Sequence, residues 1–131
     1  MILFVALFCC SAMVSAAILQ VPSQYVTIIA AHAAAANGDT ILVGPGTFMQ
    51  RVDVSKRITL IGAGYDLTTI TSYLAFATGS ARSVSEGIRL QFGAHVSGVG
   101  ALIGEVDSLV FRRCFFNNTA TGNSNPYAFS R

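Results

Sequence analysis

From Thr40 onward the chain falls into β-rich runs of three to five residues, and this punctuation constrains the fold more than any other feature. Thr40 to Val43 stops at Gly44-Pro45-Gly46, which no helix tolerates, and Thr47 to Gln50 follows. Val52-Asp53-Val54 alternates before a turn at Ser55-Lys56. Ile58, Leu60 and Ile61 run into Gly62-Ala63-Gly64, and Thr69 to Thr71 comes next. Such runs lie too close together for helix-linked parallel strands, whose crossovers need about a dozen residues or more. Hairpins call for two-residue Asn-Gly or Asp-Gly turns between alternating strands. The one Asn-Gly, at Asn37-Gly38, precedes the β region and ends a helix instead. A solenoid fits best: short strands pile up because no single coil can bury its apolar face alone.

The opening stretch is of another kind. Met1 to Ala17 reads as a signal peptide, with an apolar segment from Ile2 to Met13 and small residues at Ser15, Ala16 and Ala17. Val14-Ser15-Ala16 and Ser15-Ala16-Ala17 both suit signal peptidase. The segment lacks the usual early Lys or Arg. The rival reading is a membrane anchor over Met1 to Leu19, weakened by Ser11, Ser15 and several alanines. Leu7-Phe8 before Cys9 lacks the small residues of a lipoprotein site. With Cys9 and Cys10 in the signal, Cys114 stands alone and cannot form an internal disulfide. Residues 18–131 then form one domain. Charged residues are 11% of the chain against a usual ~25%, and the first is Asp39. A net charge of +2 gives no case for nucleic acid or an anionic membrane surface. No Cys/His spacing suits zinc.

Between signal and coils, Pro22-Ser23 opens an alanine-rich helix over about 24–36, with Ser23 as its cap and Val26, Ile29, Ala30, Ala33 and Ala36 on or near one face. Asn37-Gly38 ends it, Gly38 being free to turn left-handed. His32 has no second ligand nearby and reads as a structural or surface residue. Coils occupy about 40–131. Ser72 to Glu86 is small and polar and reads as a long loop leaving the solenoid. Strand signals return at Ile88 to Phe92, at Val96 to Ile103 and, most clearly, at Leu109 to Phe116. There Leu109, Phe111, Cys114 and Phe116 point inward around a bend at Arg112-Arg113, and Asn117-Asn118 turns the chain.

These residues resemble the N-terminal cap and first coils of the pectin-lyase-like superfamily of right-handed parallel β-helix proteins. The likeness rests on AANGDTILVGPGTF (Ala35 to Phe48), RVDVSKRITLIGAG (Arg51 to Gly64) and TTIT (Thr68 to Thr71). HVSGVGAL (His95 to Leu102) and SLVFRRCFFNN (Ser108 to Asn118) look like the repeating coil. The resemblance implies a mainly β fold, a right-handed parallel β-helix closed by an N-terminal α-helical cap. Because the chain stops at Ser130-Arg131 straight after a strand and turn, it is expected to be a fragment of a longer protein.

Candidate sites are sparse. Gly62-Ala63-Gly64 and Gly98-Val99-Gly100 give neither G-x-G-x-x-G nor a Walker lysine and read as turns. Gly46-Thr47-Phe48-Met49-Gln50 resembles the Gly-x-Tyr-x-Glu segment of pectin methylesterases, with Phe and Gln in place of Tyr and Glu. The catalytic Asp pair and Arg of that family have no match here. Glu105 and Asp107 would share a face if extended, and such a pair could hold calcium or act as acid and base, though a solvated turn is the plainer reading. Arg112-Arg113 could meet an acidic sugar through guanidinium–carboxylate contacts. Asp39, Asp53 and Asp66 are scattered. Asn117-Asn118-Thr119 is an N-glycosylation sequon or an asparagine turn inside the stack. No catalytic, cofactor-binding or metal residue is assigned, and calcium is the one ion left open for a longer protein.

The resemblance implies a secreted or cell-surface protein that binds or processes polysaccharide in its full-length form, with the fragment itself inactive. If the longer protein is an enzyme, a pectin lyase-like polysaccharide lyase or hydrolase is implied. The alternatives are a non-enzymatic adhesin-like or structural solenoid and, behind it, a pectin methylesterase-like enzyme. No nucleic acid, and no membrane beyond the signal segment, is expected as partner. Likeness of fold does not separate these functions.

Overall fold

The computed structural model describes residues 15–92, 101–103 and 106–118. They form a parallel β-helix of about four coils. A first strand, β1 (Ile18–Val21), leads into a helix, α1 (Ile28–Ala34). The first coil has strands β2 (Thr40–Val43), β3 (Gly46–Phe48) and β4 (Arg51–Val54). The second has β5 (Thr59–Gly62), β6 (Thr68–Ile70) and β7 (Tyr73–Phe76). The third has β8 (Val84–Glu86), β9 (Arg89–Phe92) and β10 (Ala101–Ile103), and the fourth begins with β11 (Val110–Arg112) and β12 (Phe115–Asn118).

Every described pairing is parallel, and each strand pairs with its counterpart one coil away. Three sheets result, ordered β1-β2-β5-β8-β11, β3-β6-β9-β12 and β4-β7-β10. Thr40 pairs with Thr59, Thr59 with Val84 and Val84 with Val110, so successive coils are 19, 25 and 26 residues long.

Alternation along each strand sends every second side chain inward. Register then stacks Leu19, Ile41 and Leu60 in one column, and Phe48, Ile70 and Leu90 in another. Val52 lies on Leu74, and Val54 on Phe76, in the third sheet. All of these are buried. Near the far end of the described residues Phe111 packs edge-on against Phe76 and Phe116, with centroids 5.7 and 5.5 Å apart.

The helix closes the near end. At seven residues it is far below the ~12–15 at which an isolated helix becomes even marginal, so tertiary contacts must hold it. It starts later than the sequence suggests. Thr27, not Ser23, is the cap, accepting the Ala30 N–H at 3.0 Å, while Ser23 donates to Gln20 within the preceding turn. The buried face is also different from the expected one. Ile28, Ala31, His32 and Ala35 face the coils, whereas Val26, Ile29, Ala30, Ala33 and Ala36 are exposed. In an alanine-rich helix the apolar pattern is nearly uniform, and of the two adjacent isoleucines Ile28 goes down while Ile29 stays exposed.

Two polar side chains fasten this lid. Gln50 accepts the Ile28 N–H at 3.1 Å through Oε1. Lys56, in the turn after β4, donates through Nζ to the carbonyls of His32, Ala33 and Ala35 at 3.0, 2.9 and 2.7 Å. All three ammonium protons are thereby used on carbonyls that the helix end leaves free.

Three expectations need correction. Ile18 to Val21 is a strand that adds a partial coil before the lid, with Leu19 and Val21 buried. Ser72 to Glu86 does not leave the solenoid; it contains β7 and β8. Its serines are small enough to sit inside, and two of them are satisfied there: Ser80 donates to the Ala77 carbonyl at 2.7 Å, and Ser83 accepts the Ile58 N–H at 3.1 Å. Asn117-Asn118 lies in β12, paired with Gln91 and Phe92, and is not a turn.

Candidate functional site

The turns joining the first sheet to the second differ between coils. Gly44-Pro45, Gly87-Ile88 and Arg113-Cys114 each connect in two residues, but coil two uses five, Ala63 to Leu67. The short turns of coils three and four carry a left-handed residue at matching places, Gly87 (φ 65°) and Arg113 (φ 49°). Crowding fixes glycine at position 62. A Cβ there would come within 2.4 Å of the Gly87 carbonyl oxygen and 2.8 Å of Ile88 Cγ1.

The long turn stands out from the stack as a wall. Arg89, one coil on, pins it by donating from Nε to the Tyr65 carbonyl at 3.0 Å, and its Nη2 lies 3.5 Å from Asp66 Oδ1. Thr69, Arg89 and Phe115 share an outward column across β6, β9 and β12. The Arg89 guanidinium sits 5.3 Å from the Phe115 ring centroid, and Tyr65 and Phe115 are 6.4 Å apart and tilted by 30°. Beneath the wall lies a cleft of about 290 Å³ lined by Gly62, Gly64, Tyr65, Asp66, Glu86 and Arg113. Arg113 Nη2 meets Glu86 Oε1 at 2.9 Å, while the Arg113 side chain is 80% exposed.

This arrangement offers two exposed aromatic rings, two guanidinium groups and two carboxylates along one side of the coils. In each ion pair one partner is well exposed, Asp66 in one and Arg113 in the other, so water and an arriving anion can reach both pairs. A second, larger cleft of about 680 Å³ opens beside Asn37, Arg57, Arg82 and Asp107. It has two arginines but no aromatic surface, and small-molecule recognition usually needs apolar area as well as directed polar groups.

The residues singled out in the sequence fare differently. Of the aspartates, only Asp66 reaches the cleft. Asp53 pairs with Arg51 at 3.0 Å on the outward face of β4. Asp39 is structural: its carboxylate accepts the Ala36 and Ala17 N–H groups at 2.7 and 2.8 Å, and these two bonds, Ala36 foremost, hold its pKa below the ordinary value. Arg113 lies at the bend as anticipated and Arg112 points out to solvent from β11. Within Gly46 to Gln50, Phe48 is in the core, Met49 is exposed and Gln50 braces the lid, which gives that motif a structural use.

His32 is buried against β4, and its Nε2 accepts the Ser55 N–H at 3.3 Å. Burial first, and then the Lys56 charge, push its pKa below the usual histidine value. Burial likewise raises the pKa of Cys114, whose thiol lies 3.4 Å from the Ser85 carbonyl, so it is a packed thiol and not a nucleophile. Glu105, Gly98-Val99-Gly100, Thr119, Met1 to Val14 and most of His95 to Leu102 lie outside the described residues. Among the described residues no three His, Cys, Asp or Glu side chains come together as a metal site, and no helix is long and apolar enough to cross a membrane.

Tyr65, Glu86, Arg89 and Phe115 escaped the sequence reading because only coil register brings them together. No protein-family model matches the chain, and no curated protein or solved structure does either.

Proposed function

We propose that the chain is part of a secreted or cell-surface β-helix domain of the pectin-lyase-like kind that binds acidic polysaccharide along the cleft beside Tyr65. The observation that carries this reading is the convergence of Tyr65, Phe115, Arg89 and Arg113 on one side of the stack. An extended uronate chain presents apolar ring faces and carboxylates in alternation. Aromatic rings suit the former, and guanidinium groups suit the latter through paired hydrogen bonds.

Binding is favoured over chemistry in these coils, because Asp66 and Glu86 each already face an arginine. The full-length protein would then be either a polysaccharide lyase or hydrolase with its chemistry on further coils, or a non-enzymatic adhesin-like solenoid. Titration of the secreted chain with polygalacturonate, against a neutral polysaccharide as control, tests the site. Tyr65→Ala and Arg89→Ala are each expected to weaken binding about tenfold, equivalent to about 1.4 kcal/mol. Arg57→Ala in the other cleft should leave it unchanged. Equal affinity for the neutral polymer, or indifference to both the Tyr65 and the Arg89 variant, would refute the reading. Product release from polygalacturonate by this chain would overturn the placement of chemistry elsewhere.

A further inference from the structure

We propose that signal peptidase cuts between Ala16 and Ala17, and that the freed α-ammonium of Ala17 forms an ion pair with the Asp39 carboxylate that locks the first strand to the lid. The inference rests on the secretion reading above and goes further by naming the bond that is cut and the group that receives the new charge.

Two cuts satisfy the small-residue pattern. Val14 and Ala16 flank one, and Ser15 and Ala17 the other. The peptidase reads an unfolded segment and has little to choose between them. The folded products differ. Ala17 N already lies 2.8 Å from Asp39 Oδ1, and the other carboxylate oxygen takes the Ala36 N–H at the end of the lid at 2.7 Å. The Ala17 carbonyl accepts the Thr40 N–H at 2.8 Å and so begins the β1–β2 ladder. Asp39 is only 6% exposed, and Lys56, whose charge acts on it, is engaged by three helix carbonyls.

A cut after Ala16 would turn the Ala17 amide into an ammonium with three donors, placed where one of them already meets the carboxylate. A hydrogen bond charged on the carboxylate side alone would become an ion pair charged on both sides. A cut after Ala17 would instead remove both the donor to Asp39 Oδ1 and the acceptor for Thr40 N–H. Ser15 and Ala16 are exposed and precede the first strand, so their removal uncovers no buried side chain of their own. Hydrolysis of the Ala16–Ala17 bond consumes one water, leaving a carboxylate on Ala16 and the amine on Ala17.

The test is expression of the complete 131-residue chain in a eukaryotic secretory host, with N-terminal sequencing and intact mass of the product in the medium. The expected start is Ala17-Ile18-Leu19-Gln20. A start at Ile18 overturns the proposal and leaves secretion standing, whereas a cell-retained chain still beginning at Met1 overturns both. Acylation of the Ala17 amine at neutral pH tests the ion pair. It should be about tenfold slower in the native protein than in Asp39→Asn, as expected if the carboxylate raises the amine's pKa by about one. The same comparison between native and urea-unfolded wild type covers the case in which the variant fails to fold. Equal rates in that comparison would overturn the ion pair.

Discussion

Lys56 is the most economical place to test how the lid is held. Its Nζ donates to the three carbonyls of His32, Ala33 and Ala35 across a gap of more than twenty residues in sequence. Lys56→Met keeps most of the stem and removes the charge. A bond to a charged group is worth about 1.5–3 kcal/mol, so three of them set a high ceiling. The realistic loss is smaller, since the site is half-exposed and water can reach part of it. A cation at a partly buried helix C-terminus contributes up to ~2 kcal/mol, and we take about 2 kcal/mol as the cost of the substitution. With a urea slope of about 1–3 kcal/mol per molar, the unfolding midpoint should fall by roughly 1 M. A second readout is independent of stability. Lys56 helps hold the His32 pKa down, so the variant should show His32 titrating closer to 6.5 by NMR. An unchanged midpoint together with an unshifted His32 would refute the placement of Lys56 on the helix end.

Further outcomes follow from the stack. Leu60→Ala empties a fully buried position between Ile41 and Ser85 and should cost about 2–5 kcal/mol in the same urea assay. Ser85→Ala should be neutral or stabilise by up to about 1 kcal/mol, because its buried hydroxyl has no partner among the described residues; a loss above 1 kcal/mol would mean that a partner exists. Stability should also fall as pH drops below 6.5. The unfolded chain protonates His32 there while the folded one resists, so the stability present above 6.5 is lost as pH falls through the depressed folded value. His32→Gln should flatten that part of the pH profile, and an unchanged slope would exonerate His32.

The coils were legible where the signal is local. Val52 and Val54 flank Asp53, Thr69 and Thr71 flank Ile70, and Gly44-Pro45 and Gly62 to Asp66 mark corners, so strand and turn can be read there within a few residues. The losses have physical causes. Ser80, Ser83 and Ser85 look like solvent-facing loop, yet all three are buried, Ser80 and Ser83 with their hydroxyls bonded to neighbouring backbone groups. Ile18 to Val21 follows directly on an apolar segment with no turn between, which hides a strand. In the lid, alanine on every side removes the contrast that would identify a buried face. The cleft needs register, and coils of 19, 25 and 26 residues present no fixed period from which Tyr65, Arg89 and Phe115 could be aligned.

Long-range NOEs among the amides and Hα protons of β2, β5 and β8 test the winding most directly. Parallel winding predicts backbone contacts linking Thr40 to Thr59 and Thr59 to Val84 in constant register, with no close Hα–Hα pairs between strands. Strong Hα–Hα cross-peaks joining consecutive segments, such as β2 with β3, would mean antiparallel hairpins, and the coil stack with its helical lid would be wrong.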